Sequence, residues 1–424
     1  MKLLLKFRGG FVIGLLSAAV LLCGLAWLGW QQIHKPIPAQ QLSAQARLGH
    51  QVFHDTSLSA SGQQSCASCH LKELGHASAR GLEIGGPQMQ FTGDRNTPSL
   101  RYLWRNTGFH FDEEGKASGG FFWDGRADSL NAQAAEPFLN PAEMANTDKA
   151  SVVAKLSRAA YAAEFERVFG KDIWQHTDKA FDAMTQALGS YQTEDTDFHP
   201  FDSVFDRVSQ GHASFTAAQQ RGWELFKDPE KGNCAACHTA EADKDGMLPL
   251  FTDNSYDNLG VPVSAKMIKT QALDQGVCTH PLVQARADAQ SLCGAFKVPS
   301  LRNVAVRRAF FHKAAMTDLR EVIAFYATRD TDPKRWYGTS KPLGGVHPSL
   351  RVNVNRDEVP YGQKPGEQPR LSEQDIDDLL AFLHTLTDAD LKATTASPQA
   401  AIAAPSVAAR ADRSAASPVA SNNR

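Results

Sequence analysis

Two short stretches, Cys66-Ala-Ser-Cys69-His70 and Cys234-Ala-Ala-Cys237-His238, share the pattern Cys-x-x-Cys-His and decide how this chain folds. Two thiols at this spacing can form thioether bonds with the two vinyl groups of a haem, and the adjacent histidine can bind the iron. A redox dithiol does not need this histidine, and a zinc site needs further ligands nearby. We therefore predict two covalently attached haems c, with His70 and His238 as proximal iron ligands.

Similar residues recur around the two motifs, which indicates a duplicated unit. Each motif is preceded by a Gly-x-x-x-Phe-x-Asp segment and followed by a Pro-Ser-Leu-Arg segment and a paired aromatic. The matching segments are 49–55 and 222–228, then 98–101 and 299–302, then Phe121-Phe122-Trp123 and Phe310-Phe311-His312.

The segments between these matches, such as Ser151–Arg167 and Ala180–Tyr191, have helical spacing of apolar residues and few strand signals. We therefore predict a mainly α fold, made of two cytochrome-c-like haem domains packed together. The expected N-terminal haem domain covers residues 36–205 and the C-terminal haem domain covers residues 206–388.

The N-terminus predicts an exported protein. A basic flank is followed by twenty uncharged, mostly apolar residues, Phe11–Trp30, which is long enough to cross a bilayer. We expect residues 1–35 to form a cytoplasmic flank and an uncleaved transmembrane helix that anchors a periplasmic protein to the inner membrane. A cleaved signal peptide and a soluble periplasmic protein are the alternative.

The C-terminus and the overall charge are less informative. Residues 389–424 are rich in Ala, Ser and Pro and predict a disordered tail. The formal net charge of −2 shows no excess of basic residues, so no nucleic-acid partner is expected.

Two cysteines remain after the haem motifs and Cys23, which lies in the apolar run. Cys278 and Cys293 bracket a polar, loop-like insertion. Because thiols in the periplasm are normally oxidised, we predict a disulfide between them.

A helix after the second paired aromatic has one apolar face. Leu319, Val322, Ile323 and Tyr326 fall at i, i+3, i+4 and i+7, and Thr317 is a plausible N-cap. This face is expected to look into the second haem pocket. Tyr326 then either binds the iron or serves as an ordinary core tyrosine, and periodicity alone favours the core tyrosine.

The equivalent position in the first repeat is a proline. Tyr326 lies fourteen residues after His312, and Pro137 lies fourteen residues after Trp123. Proline offers no donor atom to iron. If the two repeats align in this way, Tyr326 covers the distal side of the second haem iron and the distal side of the first iron is open. One covered and one open haem is an arrangement for an enzyme. His76 is the nearby histidine that competes as a ligand, although a loop histidine is more often solvated.

The stretch Phe121–Met144 resembles the signature of the bacterial di-haem cytochrome c peroxidase family, and the region around Tyr326 is similar to its MauG-like branch. The resemblance covers residues 42–388. Ordinary members place methionine where Tyr326 stands and cap the first haem with histidine. The corresponding segment here, Ile84–Gln90, has no histidine.

The resemblance also implies roles for single residues. Trp123 would couple the two haems, and Gln133 and Glu143 would line the distal pocket of the first haem beside Pro137. On residue type alone, Trp123 is more often a packing residue and Glu143 a solvated carboxylate.

A calcium ion between the haems is also implied by the resemblance. Its ligands would be Asn96 and the backbone carbonyls of Arg307 and Ala309, and oxygen ligands suit this ion.

The resemblance implies a peroxidase. It would cleave hydrogen peroxide at the open first haem, with Glu143 transferring the proton, and store oxidising equivalents on both haems. Electrons would come from a small periplasmic redox protein. The alternatives are a MauG-like oxidase that modifies a partner protein, and a non-catalytic di-haem electron-transfer cytochrome.

Overall fold

The computed structural model describes residues 41–262 and 273–391 and confirms a mainly α-helical fold. The predicted membrane anchor, residues 1–35, lies outside the described residues. Within the described ranges, no helix is both long and apolar enough to cross a membrane. Folded structure extends slightly into the predicted tail, because Asp390 pairs with Arg101 and Leu391 is buried.

Twelve α-helices and six very short strands make up the regular structure of the described ranges. The helices are α1 (Ala44–His54), α2 (Cys66–Cys69), α3 (Leu130–Leu139), α4 (Lys149–Leu156), α5 (Ala162–Phe169), α6 (Thr177–Glu194), α7 (Val204–Ser209), α8 (Ala217–Lys227), α9 (Pro281–Gln284), α10 (Leu319–Thr328), α11 (Pro333–Tyr337) and α12 (Glu373–Leu383). The strands are β1 (Ile84–Gly85), β2 (Phe91–Thr92), β3 (His110–Phe111), β4 (Ala117–Ser118), β5 (Tyr256–Asp257) and β6 (Phe296–Lys297).

The strands pair as three antiparallel two-stranded ribbons, β1 with β2, β3 with β4 and β5 with β6. Short 3-10 helices cover Thr56–Leu58, Lys72–Leu74, Ile173–Gln175, Thr196–Phe198, Cys234–Ala236, Val277–Thr279, Ala289–Leu292, Val304–Val306, Pro348–Asn353 and His384–Leu386.

The duplication seen in the sequence is present in the fold. In the first half, α1 and α3 both pack on α6, and in the second half, α8 and α10 both pack on α12. Each half has its own hydrophobic core, one drawn from residues between Leu48 and Phe198 and one from residues between Phe205 and Leu386.

Two matched glycines let the paired helices cross closely. A Cβ atom on Gly49 of α1 would lie 1.9 Å from the carbonyl oxygen of Ala187 on α6. A Cβ atom on Gly222 of α8 would lie 2.0 Å from the carbonyl oxygen of Asp378 on α12. Each contact therefore requires a residue without a side chain.

The paired aromatics also form the same turn twice. Phe122 and Phe311 both have positive φ, 63° and 64°. Phe121 bridges Ala127, and Phe310 bridges Met316. The structural repeat thus extends from the helix before each haem motif to the helix after each paired aromatic.

The segment Ser151–Arg167 is largely helical, as its spacing predicts, but it forms two helices because the chain turns between α4 and α5. Tyr161 lies five residues after Leu156, and the turn brings both into the core, where the Tyr161 hydroxyl donates to Asp55 at 2.8 Å. At the start of α10 the N-cap is Asp318 rather than Thr317, since its carboxylate accepts from the Glu321 N–H.

The predicted disulfide is confirmed. Cys278 and Cys293 are bonded and buried, and they lie in a third apolar cluster beside β5 and β6. This cluster joins the two halves, because Phe109 and Ala117 of the first half pack in it with residues of the second half.

Candidate active site

The four cysteines of the two motifs lie beside two cavities. Burial raises the pKa of Cys66, Cys69, Cys234 and Cys237 to about 12 in each case. Burial therefore favours the neutral form of all four thiols. Their position beside cavities suits attachment of a large group.

Both motif histidines are oriented in the same way. The Nδ1 atom of His70 is 3.1 Å from the carbonyl oxygen of His76, and that of His238 is 2.9 Å from the carbonyl oxygen of Phe251. Because a carbonyl only accepts, each Nδ1 carries the proton and each Nε2 keeps its lone pair for a metal. Burial lowers the pKa of His70 to about 4, which keeps the ring neutral.

The two carbonyl acceptors could not be found in the sequence. His76 and Phe251 both have positive φ, 55° and 54°, which turns their carbonyls toward the imidazoles. His76 is neither solvated nor a candidate ligand. It is buried and its ring stacks on Phe198 with 4.3 Å between centroids.

The first cavity is bordered by the motif Cys66–His70 and by the residues predicted for the distal side. Gln133, Pro137 and Glu143 all line it. Among the described residues that line this cavity, His70 is the only histidine.

Glu143 is held in place and is difficult to ionise. Its Oε1 accepts from the side-chain amide of Asn140 at 2.8 Å, and its carbonyl accepts from the Gly86 N–H at 2.8 Å. Burial raises the pKa of Glu143 above its usual range, and the Glu136 charge adds to this, while Arg126 and the Asn140 bond act against it. A buried carboxyl poised between its two protonation states can transfer protons.

The second cavity is bordered by the motif Cys234–His238 and by the apolar face of α10. Leu319, Val322, Ile323 and Tyr326 all line it, as the helical spacing predicts. Tyr326 packs between two other rings, with its centroid 6.3 Å from Phe311 and 6.1 Å from Tyr361. Burial raises the pKa of the Tyr326 phenol well above its usual value.

Pro137 and Tyr326 occupy equivalent positions. Pro137 is the eighth residue of α3, and Tyr326 is the eighth residue of α10. Each helix packs on the last long helix of its half, and each residue lines the cavity of its own motif. The two registers therefore correspond, as the count from the paired aromatics indicates.

Trp123 lies between the two sites, since it lines both cavities. Its indole Nε1 donates to the carbonyl of Asn96 at 2.7 Å, which fixes the ring. The residue that matches Trp123 in the second repeat, His312, stacks on Phe296 with 3.5 Å between centroids.

The structure brings together two of the three residues predicted to bind calcium. The Asn96 amide donates to the carbonyls of Ala309 and Phe311, both at 3.1 Å. Arg307 precedes Ala309 by two residues, and its side chain points to the second cavity.

Both cavities contain polar atoms that the protein leaves unpaired. Five buried side-chain atoms of the described residues have no hydrogen-bond partner, and four of them belong to residues that line a cavity. Gln64 and Gln192 border the first cavity, and Arg307 and Tyr361 border the second. Since buried polar groups are nearly always paired, these atoms fit a bound group that carries polar substituents. The residues present thus fit one haem c in each cavity.

The fold and the two cavities define a c-type cytochrome with two unequal haem sites. The family model for di-haem cytochrome c peroxidase matches residues 43–214. Methylamine utilization protein MauG of Paracoccus denitrificans is 38% identical over 374 residues, covering 83% of this chain and 92% of that protein. Cytochrome c peroxidase Ccp of Escherichia coli is 29% identical over 357 residues, covering 83% of this chain and 60% of that protein.

A solved structure gives the same result. The di-haem peroxidase BthA from Burkholderia thailandensis matches with a TM-score of 0.77 and 34% identity, covering 84% of this chain and 87% of that one. This chain belongs to the di-haem cytochrome c peroxidase and MauG family. It is an oxidoreductase of the peroxidase type with two haems c.

Proposed function

We propose that the first cavity is the site of peroxide cleavage and that Tyr326 is an axial ligand of the second haem iron. The observation that carries this proposal is the difference at the eighth position of two equivalent helices. Pro137 has no donor atom at that position, whereas Tyr326 has a phenolic oxygen. The haems supply the iron that exchanges electrons with peroxide when they are bound.

Glu143 is the proton-transfer group in this proposal. Its carboxylate accepts a proton from hydrogen peroxide in the first cavity and returns a proton to the departing oxygen, so that water leaves instead of hydroxide. Its burial supports this role, because a raised pKa brings the protonated and ionised forms closer in free energy near neutral pH.

Gln133 and Trp123 support the reaction in different ways. Gln133 borders both cavities and offers an amide that orients peroxide or water by hydrogen bonding. Trp123 lines both cavities, and its indole, fixed by the bond to the Asn96 carbonyl, would provide an aromatic connection between the two haem sites.

Tyr326 would supply a phenolate to the second haem. A phenolate is a hard anionic donor, which suits oxidised iron better than a thioether does. Burial opposes ionisation of the phenol, so coordination itself must supply the charge that removes the proton.

The similarity to methylamine utilization protein MauG, at 38% identity, keeps a second candidate function open. In this alternative the protein would be an oxidase that modifies residues of a partner protein. The first candidate instead takes electrons from a small periplasmic redox protein.

Three further features belong to the proposal. The N-terminal apolar run exports the chain and anchors it to the inner membrane. A calcium ion binds between the haems at Asn96 and the carbonyls of Arg307 and Ala309. This requires the Asn96 amide to turn so that its oxygen, rather than its nitrogen, faces Ala309.

The test is the reaction of the purified diferric holoprotein with one equivalent of hydrogen peroxide and no reductant. The proposal predicts spectral changes at both haems. No change without prior reduction would place the protein with peroxidases that need reductive activation. No change under any condition, with both irons six-coordinate, would indicate an electron carrier.

A further inference from the structure

Three arginines buried in the described part of the chain each have a carboxylate partner. Arg101 pairs with Asp388 and Asp390, Arg302 pairs with Asp206, and Arg329 pairs with Asp330. This is the expected arrangement, because an unpaired charge in the protein interior is costly.

Arg307 differs from these arginines. Its Nη2 donates to the carbonyls of Ser300 and Arg302 at 2.8 and 2.9 Å, and its Nε is buried with no partner. No carboxylate of the described residues forms an ion pair with it. The side chain borders the second cavity, so a group bound there can reach the guanidinium.

The other cations at the cavities are already satisfied. In the first cavity, Arg95 pairs with Asp124 and Asp274, and Lys313 pairs with Asp274. In the second cavity, Lys297 uses its three donors on the side chain of Asn106 and the carbonyls of Gly119 and Gly120.

We propose that the Arg307 side chain binds a propionate carboxylate of the haem in the second cavity. A haem c carries two propionates, and a carboxylate is the group that best satisfies a partly buried guanidinium whose Nε–H is buried and unpaired. The pairing rests on the haem occupying this cavity. It does not depend on Tyr326 as the iron ligand or on reaction with peroxide.

This pairing would set the reduction potential of the second haem. A fixed positive charge beside a propionate neutralises a negative charge close to the iron, which favours the reduced, less positive haem. The position in the first half that matches Arg307, counted from the Pro-Ser-Leu-Arg segments, is the uncharged Asn106. The two halves therefore differ in the charge at this position as well as in the side chain, Pro137 or Tyr326, at the eighth position of the equivalent helices.

The test compares three variants of the full-length holoprotein. Arg307→Gln removes the charge, Arg307→Lys keeps it, and Arg308→Gln removes the same charge from the exposed neighbouring residue. For each protein, the potentials of both haems are measured by spectroelectrochemical titration. The bending modes of the propionates are measured by resonance Raman spectroscopy, because they follow hydrogen bonding to the carboxylates.

We expect Arg307→Gln to favour the oxidised form of one haem about tenfold, equivalent to 59 mV for one electron, and to shift a propionate mode. Arg308→Gln should leave the haem potentials and the propionate modes unchanged. Equal shifts in the two glutamine variants, or an unchanged propionate mode in Arg307→Gln, would overturn the proposal. If Arg307→Gln yields no folded holoprotein, Arg307→Lys decides. In Arg307→Lys the frequency of the propionate bending mode should shift, while the equilibrium between oxidised and reduced haem should stay within about threefold of the parent. An unchanged propionate mode would contradict the pairing.

Discussion

The first and second halves of this chain use the same scaffold but present different groups to their cavities. Both hold a haem-binding histidine through a backbone carbonyl, and both place a helix across the cavity. At the eighth position of that helix the first half has Pro137 and the second half has Tyr326. The comparison teaches that a duplicated helix can present different chemistry at one position, a proline without a donor atom in the first cavity and a phenol in the second.

The charges around the cavities differ as well. The first cavity contains a closed network in which Arg95 and Lys313 share Asp274. It also contains Glu143, a partly buried carboxyl that is hydrogen-bonded but has no ion pair among the described residues. In the second cavity, Arg307 is a cation without a carboxylate partner among the described residues. Our proposal places peroxide cleavage beside Glu143 and electron storage beside Tyr326.

The largest expected effect tests the proton acceptor. Glu143→Gln should bind both haems and fold normally, but slow the reaction with peroxide by about 10²–10⁴-fold in stopped-flow measurements, because general acid–base catalysis is lost. Glu113→Gln is the control, since Glu113 is exposed and does not line either cavity. A Glu143→Gln protein that reacts at the parental rate would remove Glu143 from the mechanism.

The pH dependence of the same reaction sharpens this test. Only ionised Glu143 can accept a proton, so the rate should fall as the pH is lowered through its pKa. Because burial raises that pKa, the midpoint should lie above the usual value for glutamate. In Glu143→Gln this dependence should disappear.

The next effect concerns Arg302, the buried arginine of the second Pro-Ser-Leu-Arg segment. Asp206 and Arg302 form a pair with no exposed surface in the second half. Asp206→Asn leaves the Arg302 charge buried and should reduce the free energy of unfolding by about 3–5 kcal/mol, measured by denaturant titration. Asp377→Asn, at the exposed pair with Arg320, should change it little. Equal effects would show that burial of the pair is unimportant.

A smaller effect tests whether the two halves are structurally equivalent. Gly49→Ala and Gly222→Ala each push a methyl group into the backbone of the facing helix and should each cost about 1–3 kcal/mol of unfolding free energy. Gln220→Ala, on the exposed face of α8, should stay within about 0.5 kcal/mol of the parent. If only one of the two glycines is sensitive, the helix crossings are not equivalent.

Much of this comparison could be predicted from the sequence, because it rests on residue types at fixed spacing. The haem motifs, the repeated segments, the face of α10 and the pairing of Cys278 with Cys293 all belong to this class. The repeat also made it possible to align Pro137 with Tyr326.

What the sequence could not predict depends on backbone atoms and on tertiary contacts. The acceptors for His70 and His238 are carbonyls in loops of different length, six and thirteen residues after the histidines. Any residue type offers a carbonyl, so no pattern identifies them. The side-chain role of Arg307 was missed for a related reason, since the absence of a carboxylate partner is visible only in the fold.

The central claim is that Tyr326 binds the second iron while the first iron is open opposite His70. It is tested most directly by identifying the axial ligands of the diferric protein with electron paramagnetic resonance and near-infrared magnetic circular dichroism, in the parent and in Tyr326→Met. The account predicts histidine–tyrosinate ligation in the parent, and histidine–methionine ligation with a higher reduction potential in the variant. A histidine–methionine or bis-histidine signature for the second haem of the parent would contradict it.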